Sequence, residues 1–461
     1  MTLRARATGS ALAFAFACGW AQPALAQDAP SVQEELAAMR AEMAAMAKRI
    51  ETLEGELEEA ENTIEAVSVK VATPPPLDPL PPVAPAPKPD TEVTWKGAPE
   101  ISGTGGWSFK PRGRLQYDAG IVNAPDSTGR DDGFGNDIRR ARLGIAGDMP
   151  GGFGYKFEID VANSDLAVTD AIISYEAGDL EIMVGQFNNF QSLEELTSSL
   201  HTTFIERAAY TDAFNFIRRV GVGVQYGSGD VLLQGGVFTD NMDRLSNDAW
   251  SANGRVVYMP KIGDSQLHLG ATVNYREVDP GSTVRYRQRP LVAFTGERFI
   301  NTGNFAADSE FSYGVEGAFI SGPFHAAAEG YWRQVNRPMA LADPTFFGGY
   351  AEVGYFLTKG DTRGYKGGKF DRTKPTNPVG EGGTGSVQIN ARYDRLDLSD
   401  NGVIGGTQDG FFLSLIWKPT DWVLFLANYG RLEYDQAVFP AAGGDTSYGV
   451  DVVGVRAQID F

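Results

Sequence analysis

The sequence predicts an all-β fold, a 16-stranded antiparallel transmembrane β-barrel, with an N-terminal α-helical coiled coil in front of it. Three observations predict the barrel. Between residues 107 and 461, segments of roughly ten residues alternate apolar and polar side chains and are separated by Gly, Asp and Asn clusters. The connections between the segments are alternately short and long. The last residue, Phe461, closes an alternating segment.

The elements follow in chain order. Residues 1–26 read as a signal peptide: Arg4 and Arg6 supply the positive start, Ala11 to Trp20 is an apolar run too short to span a bilayer, and Ala24-Leu25-Ala26 is a small-residue cleavage site. Ala15-Phe16-Ala17, before the lone cysteine Cys18, lack the leucine that lipid attachment there would use. Cleavage after Ala26 leaves no cysteine, which excludes disulfides and thiolate chemistry in the mature chain. Residues 31–72 carry heptads, with Val32, Met39, Met46, Leu53, Ala60 and Val67 at d and Leu36, Met43, Ile50, Leu57, Ile64 and Val71 at a. Ser31 and Glu34 form a capping box at their start. The a and d residues are mixed and leave the number of strands in the coil open. Residues 73–94 form a proline-rich linker that can be neither helix nor sheet and reads as extended polyproline II.

The barrel is assigned to residues 95–461. Its strands fall near 107–119, 136–147, 153–162, 167–177, 179–187, 218–227, 230–239, 250–259, 265–277, 310–321, 323–334, 348–359, 385–398, 408–418, 421–434 and 448–461. Short connections such as 148–152, Gly178 and Gly322 read as periplasmic turns. Long ones, 120–135, 188–217, 278–309, 360–384 and 435–447, read as external loops. Trp107, Tyr258, Tyr313, Trp417 and Trp422 stand near strand ends, where interfacial aromatic girdles belong.

The polar face decides between lipid and water outside. Sixteen strands enclose a space too wide for side chains to fill. Arg112, Arg114, Arg140, Arg142 and Arg456 lie mid-strand on one face. Buried in a dry core they would be very costly; facing an aqueous lumen they are not. The apolar face then meets lipid, and closure pairs every backbone group. The whole chain carries a net charge of -19, and residues 95–461, with 45 acids and 33 bases, carry -12. That balance excludes nucleic acid as a partner. His201, His268 and His325 lack metal-ligand spacing, no phosphate-binding glycine loop precedes a helix, and no nucleophile with a nearby base can be read. The expectation is no enzyme and no cofactor.

Several stretches carry a family resemblance: Gly113-Arg114-Leu115-Gln116-Tyr117-Asp118, Arg139-Arg140-Ala141-Arg142-Leu143-Gly144 and Tyr155-Lys156-Phe157-Glu158-Ile159-Asp160. Most specific are Val184-Gly185-Gln186-Phe187, then Ser192-Leu193-Glu194-Glu195-Leu196-Thr197-Ser198-Ser199 and Thr203-Phe204-Ile205-Glu206-Arg207. Over residues 100–461 the chain resembles the phosphate-selective porins of the O and P type. The resemblance implies a homotrimer in the cell outer membrane, in contact with lipid and lipopolysaccharide. It implies a third loop folded into the lumen, and passive diffusion of small anions, phosphate or pyrophosphate among them. It also implies a ladder of arginines and a lysine anion site near the constriction. Leu200 and His201 stand where that lysine is expected after Ser199, so no lysine site is carried over to this loop.

The candidate pore-lining anion-binding residues are Lys110, Arg112, Arg114, Arg140, Arg142, Lys156, Arg276, Arg392 and Arg456 on the polar faces. Arg207, Arg218 and Arg219 join them in or just after the long segment 188–217, which has a helical patch at Leu193–Leu200. Arginine suits the task because its rigid fork of donors matches phosphate or carboxylate oxygens and keeps its charge. The bland alternative is pairing with lumen carboxylates, for which Glu158, Asp160, Glu316, Glu329 and Asp394 are candidates. Further basic clusters, Arg285, Arg287 and Arg289, and Lys359, Arg363, Lys366, Lys369, Arg372 and Lys374, read equally as anion collectors, lipopolysaccharide contacts or solvated loop charge. The alternative function is a general or cation-leaning porin, with the periplasmic coiled coil tethering the envelope through the cell wall.

Overall fold

A computed structural model describes residues 91–162, 166–242 and 248–461, together with positions 44, 46, 48, 49, 52 and 55. The chain divides into two units, Met1–Pro87 and Lys88–Phe461. In the first, the six described positions are helical. The signal peptide, nearly all of the heptad segment and the linker as far as Asp90 lie outside the described residues.

The second unit opens on a hairpin that the sequence reading missed. Thr91–Trp95 pairs with Pro99–Gly103, which in turn pairs with the start of the barrel. The barrel strands are β1 (Trp107–Asn123), β2 (Gly133–Met149), β3 (Phe153–Asp160), β4 (Ala167–Ala177), β5 (Leu180–Asn188), β6 (Arg218–Ser228), β7 (Val231–Phe238) and β8 (Trp250–Tyr258). They continue as β9 (Ser265–Glu277), β10 (Ser309–Ser321), β11 (Phe324–Asn336), β12 (Thr345–Phe356), β13 (Ser386–Asp400), β14 (Val403–Lys418), β15 (Val423–Asp435) and β16 (Tyr448–Asp460). Each pairs antiparallel with the next, and β16 returns to β1, Asp451–Asp460 against Asn123–Arg114. The cylinder is closed, so no strand edge is left to meet lipid. Phe461 finishes the seam: it exchanges two 3.0 Å backbone hydrogen bonds with Gly113. Its ring also covers Gly113, where a Cβ would meet it at 2.2 Å.

Alternation sets the two faces. Leu115, Tyr117, Leu143, Phe157, Val222, Leu269, Val315, Leu413 and Val455 are exposed on the outside. Gln116, Asp118, Glu158, Asn274, Arg392 and Arg456 are buried within. A large exposed apolar surface with charge inside is the inverse of a water-soluble sheet protein and fits an aqueous lumen in lipid. Trp417 stacks on Phe425 and Tyr313 on Trp332, near opposite ends of their strands, as aromatic belts require.

Strand parity corrects one reading. Length alone reads segment 360–384 as an external loop. It joins β12 to β13 at the end of the barrel where the turns 150–152, 178–179 and 322–323 lie, so it belongs to the periplasmic side. At the other end the β13–β14 connection is only Asn401-Gly402, both residues at positive φ. The periplasmic segment carries a small hairpin, Gly364–Lys366 with Lys369–Asp371. It reaches into the lumen: the Gly368 carbonyl accepts from Arg255 at 2.8 Å, and the Tyr365 hydroxyl lies 2.6 Å from His268 Nδ1.

Candidate pore constriction

The segment between β5 and β6 folds into the barrel. It contains two short helices, α1 (Leu193–Leu196) and α2 (Ala209–Ala213). Ser192 caps α1, its hydroxyl accepting from the Glu195 amide at 3.2 Å. Most of the segment is buried although it is a loop, because the far wall satisfies its backbone. Glu329 of β11 accepts from the Leu193 and Glu194 amides at 2.9 and 2.6 Å. Asp394 of β13 accepts from Ala209 at 2.7 Å, and Asn428 of β15 from Ile205 at 3.0 Å. Ser414 of β14 donates to the Thr203 carbonyl at 2.6 Å. Arg392 binds Glu194 of the loop at 2.9 Å and Glu352 of the wall at 2.7 Å. Gln116 and Gln458 donate to the Ser199 and Leu200 carbonyls. The loop therefore runs from β5–β6 across to a wall that extends from β11 to β1, and the lumen is divided.

One of the spaces that remain, about 300 Å³, lies between this loop and strands β2, β4, β5 and β6. Arg139, Arg140, Arg207 and Arg218 line it, with Glu195, Glu206 and Asp212. Arg139 is there because of a bulge. Gln116 of β1 faces Arg140, but Tyr117 faces Ile138, so Arg139 is the extra residue and two successive arginines turn inward. Arg139 forms a two-pronged pair with Glu206, 2.5 and 3.0 Å. Burial alone would raise the Glu206 carboxyl, but Arg139 and its hydrogen bonds hold it well below the usual carboxylate range. Glu195 moves the other way: burial raises it, and Arg207, 3.4 Å away, opposes the shift only in part.

The structure sorts the twelve candidate residues by partner. Nine hold carboxylates. Arg114 and Arg142 share Glu158 at 3.0 and 3.1 Å, and Arg142 also takes Asp160 at 2.7 Å. Lys156 and Arg218 share Asp170, the latter at 2.6 Å. Arg219 pairs with Asp240, Arg276 with Glu310, Arg392 with Glu194 and Glu352, and Arg456 with Asp118. Arg207 pairs with Glu195 and spends its other donors on the Glu194, Glu195 and Thr197 carbonyls, tying the loop to itself.

Three stand apart. Arg140 is buried and, among the described residues, donates only to Gln116 Oε1 at 3.0 Å and has no carboxylate within 4.0 Å. Arg112 is exposed to the lumen with no ion pair among the described residues, and Lys110 donates to the Lys96 carbonyl near the Trp422 ring. Around the opening and the wall beneath it, eight cations (Arg112, Arg114, Arg139, Arg140, Arg142, Lys156, Arg207, Arg218) meet six carboxylates (Glu158, Asp160, Asp170, Glu195, Glu206, Asp212). The local excess is positive although the barrel as a whole is acidic.

Of the carboxylates expected to neutralise arginines, Glu158 and Asp160 do so here and Glu316 does so for Arg255 at 2.5 Å. Glu329 and Asp394 accept backbone amides of the loop instead. The sequence reading missed Arg139, because strict alternation puts it on the lipid face. It also missed Arg255 and Arg333, which the alternation of their strands would have placed inside.

Comparison with known proteins agrees with this geometry. The family model for phosphate-selective porin O and P matches residues 109–461. A protein of Caulobacter vibrioides described only as uncharacterized is 47% identical over 412 residues, covering 86% of this chain and 81% of that protein. Porin O of Pseudomonas aeruginosa is 28% identical over 390 residues, covering 75% and 88%. Among solved structures, OmpT of Vibrio cholerae in its trimer form aligns with a TM-score of 0.52 at 12% identity, covering 77% of this chain and all of that one. An anion-selective porin from Comamonas acidovorans gives 0.52 at 14%, with the same coverage. A closed sixteen-stranded wall, a loop strapped across its lumen and a family match over nearly the whole barrel lead to one assignment: the chain belongs to the phosphate-selective porin O and P family and is an outer-membrane porin.

Proposed function

We propose that the channel passes small anions by passive diffusion, phosphate and pyrophosphate among them, through the opening beside the inward loop. The observation that carries this is Arg140, a buried guanidinium at the opening with no carboxylate partner among the described residues, set in a local excess of positive charge. A lumen cation that is already paired offers little to a passing ion. An unpaired one attracts anions and replaces part of their hydration shell. Its fork of donors favours oxyanions over chloride. Arg112 and Lys110 continue the unpaired set toward the periplasmic end.

The same reading places three copies together in the membrane, with lipid and lipopolysaccharide around the apolar face and the heptad segment in the periplasm. Deleting residues 27–90, which spares the Thr91–Gly103 hairpin, would leave conductance intact and weaken the trimer or its hold on the envelope. The deciding test is the reversal potential of the purified full-length protein in planar bilayers under a salt gradient, with chloride, phosphate and potassium compared. Anion preference that increases with phosphate is expected; cation preference overturns the proposal in favour of a general or cation-leaning porin.

A further inference from the structure

A small cavity of about 20 Å³ lies at the periplasmic ends of β12, β13, β14 and β15. Two segments that are distant in sequence meet there. The constriction loop reaches it with His201 and Thr202, and the periplasmic segment between β12 and β13 with Arg363 and Thr373. Lys418, the last residue of β14, joins them from the wall. The opening proposed for ions is bounded instead by β2, β4, β5 and β6, so this space stands off that path.

Arg363 and Lys418 are 6% and 5% exposed. Arg363 donates through Nη2 to the His201 carbonyl, and its guanidinium lies 4.7 Å over the Phe370 ring. Lys418 donates to the Thr373 carbonyl at 2.8 Å. Among the described residues neither has a carboxylate within 4.0 Å, and Arg363 Nη1 has no partner. Arg372, next to Thr373 in the chain, is already neutralised by Asp460 and adds no countercharge. Carbonyl oxygens satisfy donors but carry no net charge, and a buried charge without a counterion is costly. A water molecule would fill the space and leave that cost in place.

Size and surroundings choose the anion. Roughly 10–15 Å³ holds one water. The cavity therefore takes a single atom of about chloride size and excludes a tetrahedral oxyanion. Leu200, Ile416 and Leu424 supply apolar walls, which cannot replace the hydration shell of phosphate. We infer that this cavity holds one dehydrated halide ion, chloride in ordinary media, which joins Arg363 of the periplasmic segment to Lys418 of the barrel wall beneath the constriction loop. The ion is a fastener and not a permeating species. The inference requires only the fold and is independent of the anion preference proposed above.

The test is anomalous diffraction from chloride-free crystals of the full-length protein soaked in sodium bromide. It is paired with thermal unfolding, read by gel mobility, in sodium bromide and in sodium gluconate at equal ionic strength. One bromide peak beside Arg363 and Lys418 is expected, with an unfolding temperature about 2 °C higher in bromide. Lys418→Met keeps the bulk and removes the charge; it should abolish both the peak and the salt difference while the unheated protein keeps its compact mobility. Arg140→Gln should leave both as they were. Equimolar phosphate should not displace the bromide. Absence of the peak in the unmodified protein overturns the inference, as does a peak that persists in Lys418→Met. Equal unfolding temperatures in the two salts overturn the fastening role, and displacement by phosphate overturns the halide assignment.

Discussion

Two parts of one lumen wall use the same residue type for opposite ends. On β11–β14 the charged side chains hold the loop: Arg392 sits between Glu194 and Glu352, while Glu329 and Asp394 accept loop amides. On β1 and β2, Arg112 and Arg140 have no carboxylate among the described residues. The difference teaches that an arginine in a pore is defined by what already holds it. A buried arginine with two carboxylates is a strut, and one with only an amide oxygen is a binding group. Counting positive residues along the polar face cannot separate them.

The comparison breaks most readily at the struts. Arg392 is fully buried, and Arg392→Ala leaves Glu194 and Glu352 buried without a countercharge. Losing one partner of a buried pair costs about 3–5 kcal/mol. The expected outcome is a lower unfolding temperature, seen as loss of the compact gel form at milder heating, and a noisier channel as the loop detaches. A melt like that of the unmodified protein would show that the loop is held by its other contacts alone.

The binding arginine should behave differently. Arg140→Gln is expected to change stability little, because it breaks no ion pair, and to lower the anion-to-cation permeability ratio about fivefold, equivalent to ~1 kcal/mol. Neutralising a strut together with its partner, Arg456→Gln with Asp118→Asn, keeps net charge constant and should leave the ratio unchanged. Equal effects of the two changes on the ratio would erase the distinction between the walls.

How much of this was legible in the sequence follows from range. The sixteen strands were, because alternation is local and every strand repeats it. The lipid face and the lumen face followed from the same period. Arg139 was hidden because one bulged residue reverses the alternation, and nothing local marks the bulge. The side of segment 357–385 was hidden because length was read where parity decides. Which arginines are struts was hidden most deeply: Arg392 and Glu194 are 198 residues apart, and Arg456 and Asp118 are 338. Only the closed barrel brings them together.

Acidity offers a smaller test on the loop itself. The Glu195 carboxyl is raised by burial, with Arg207 opposing. A raised carboxyl binds its proton more tightly in the folded state, so its contribution favours folding at low pH and is lost as pH rises through the folded value. Glu206 has the opposite sign: its depressed carboxyl contributes stability above the unfolded value, lost as pH falls through the folded one. On acidification Glu195 therefore protonates first, and the opening loses a negative charge while the Arg139–Glu206 pair persists. Anion preference should rise as pH drops toward the carboxylate range, and the rise should vanish in Glu195→Gln. A fall in preference over that window would mean that Glu195 does not face the ion path.

The smallest effect is expected at Arg112, and its size sharpens what the opening contributes. Arg112 is unpaired like Arg140, but it is exposed to lumen water, whereas Arg140 is buried against Gln116. Charge in water is screened within about 8–10 Å at ordinary salt, while a buried charge is screened much less. Arg112→Gln should therefore lower anion preference measurably in dilute salt and hardly at all near molar salt. Arg140→Gln should act at both. If the two variants lose preference in parallel as salt is raised, burial adds nothing to Arg140, and diffuse lumen charge rather than a defined contact selects the ion.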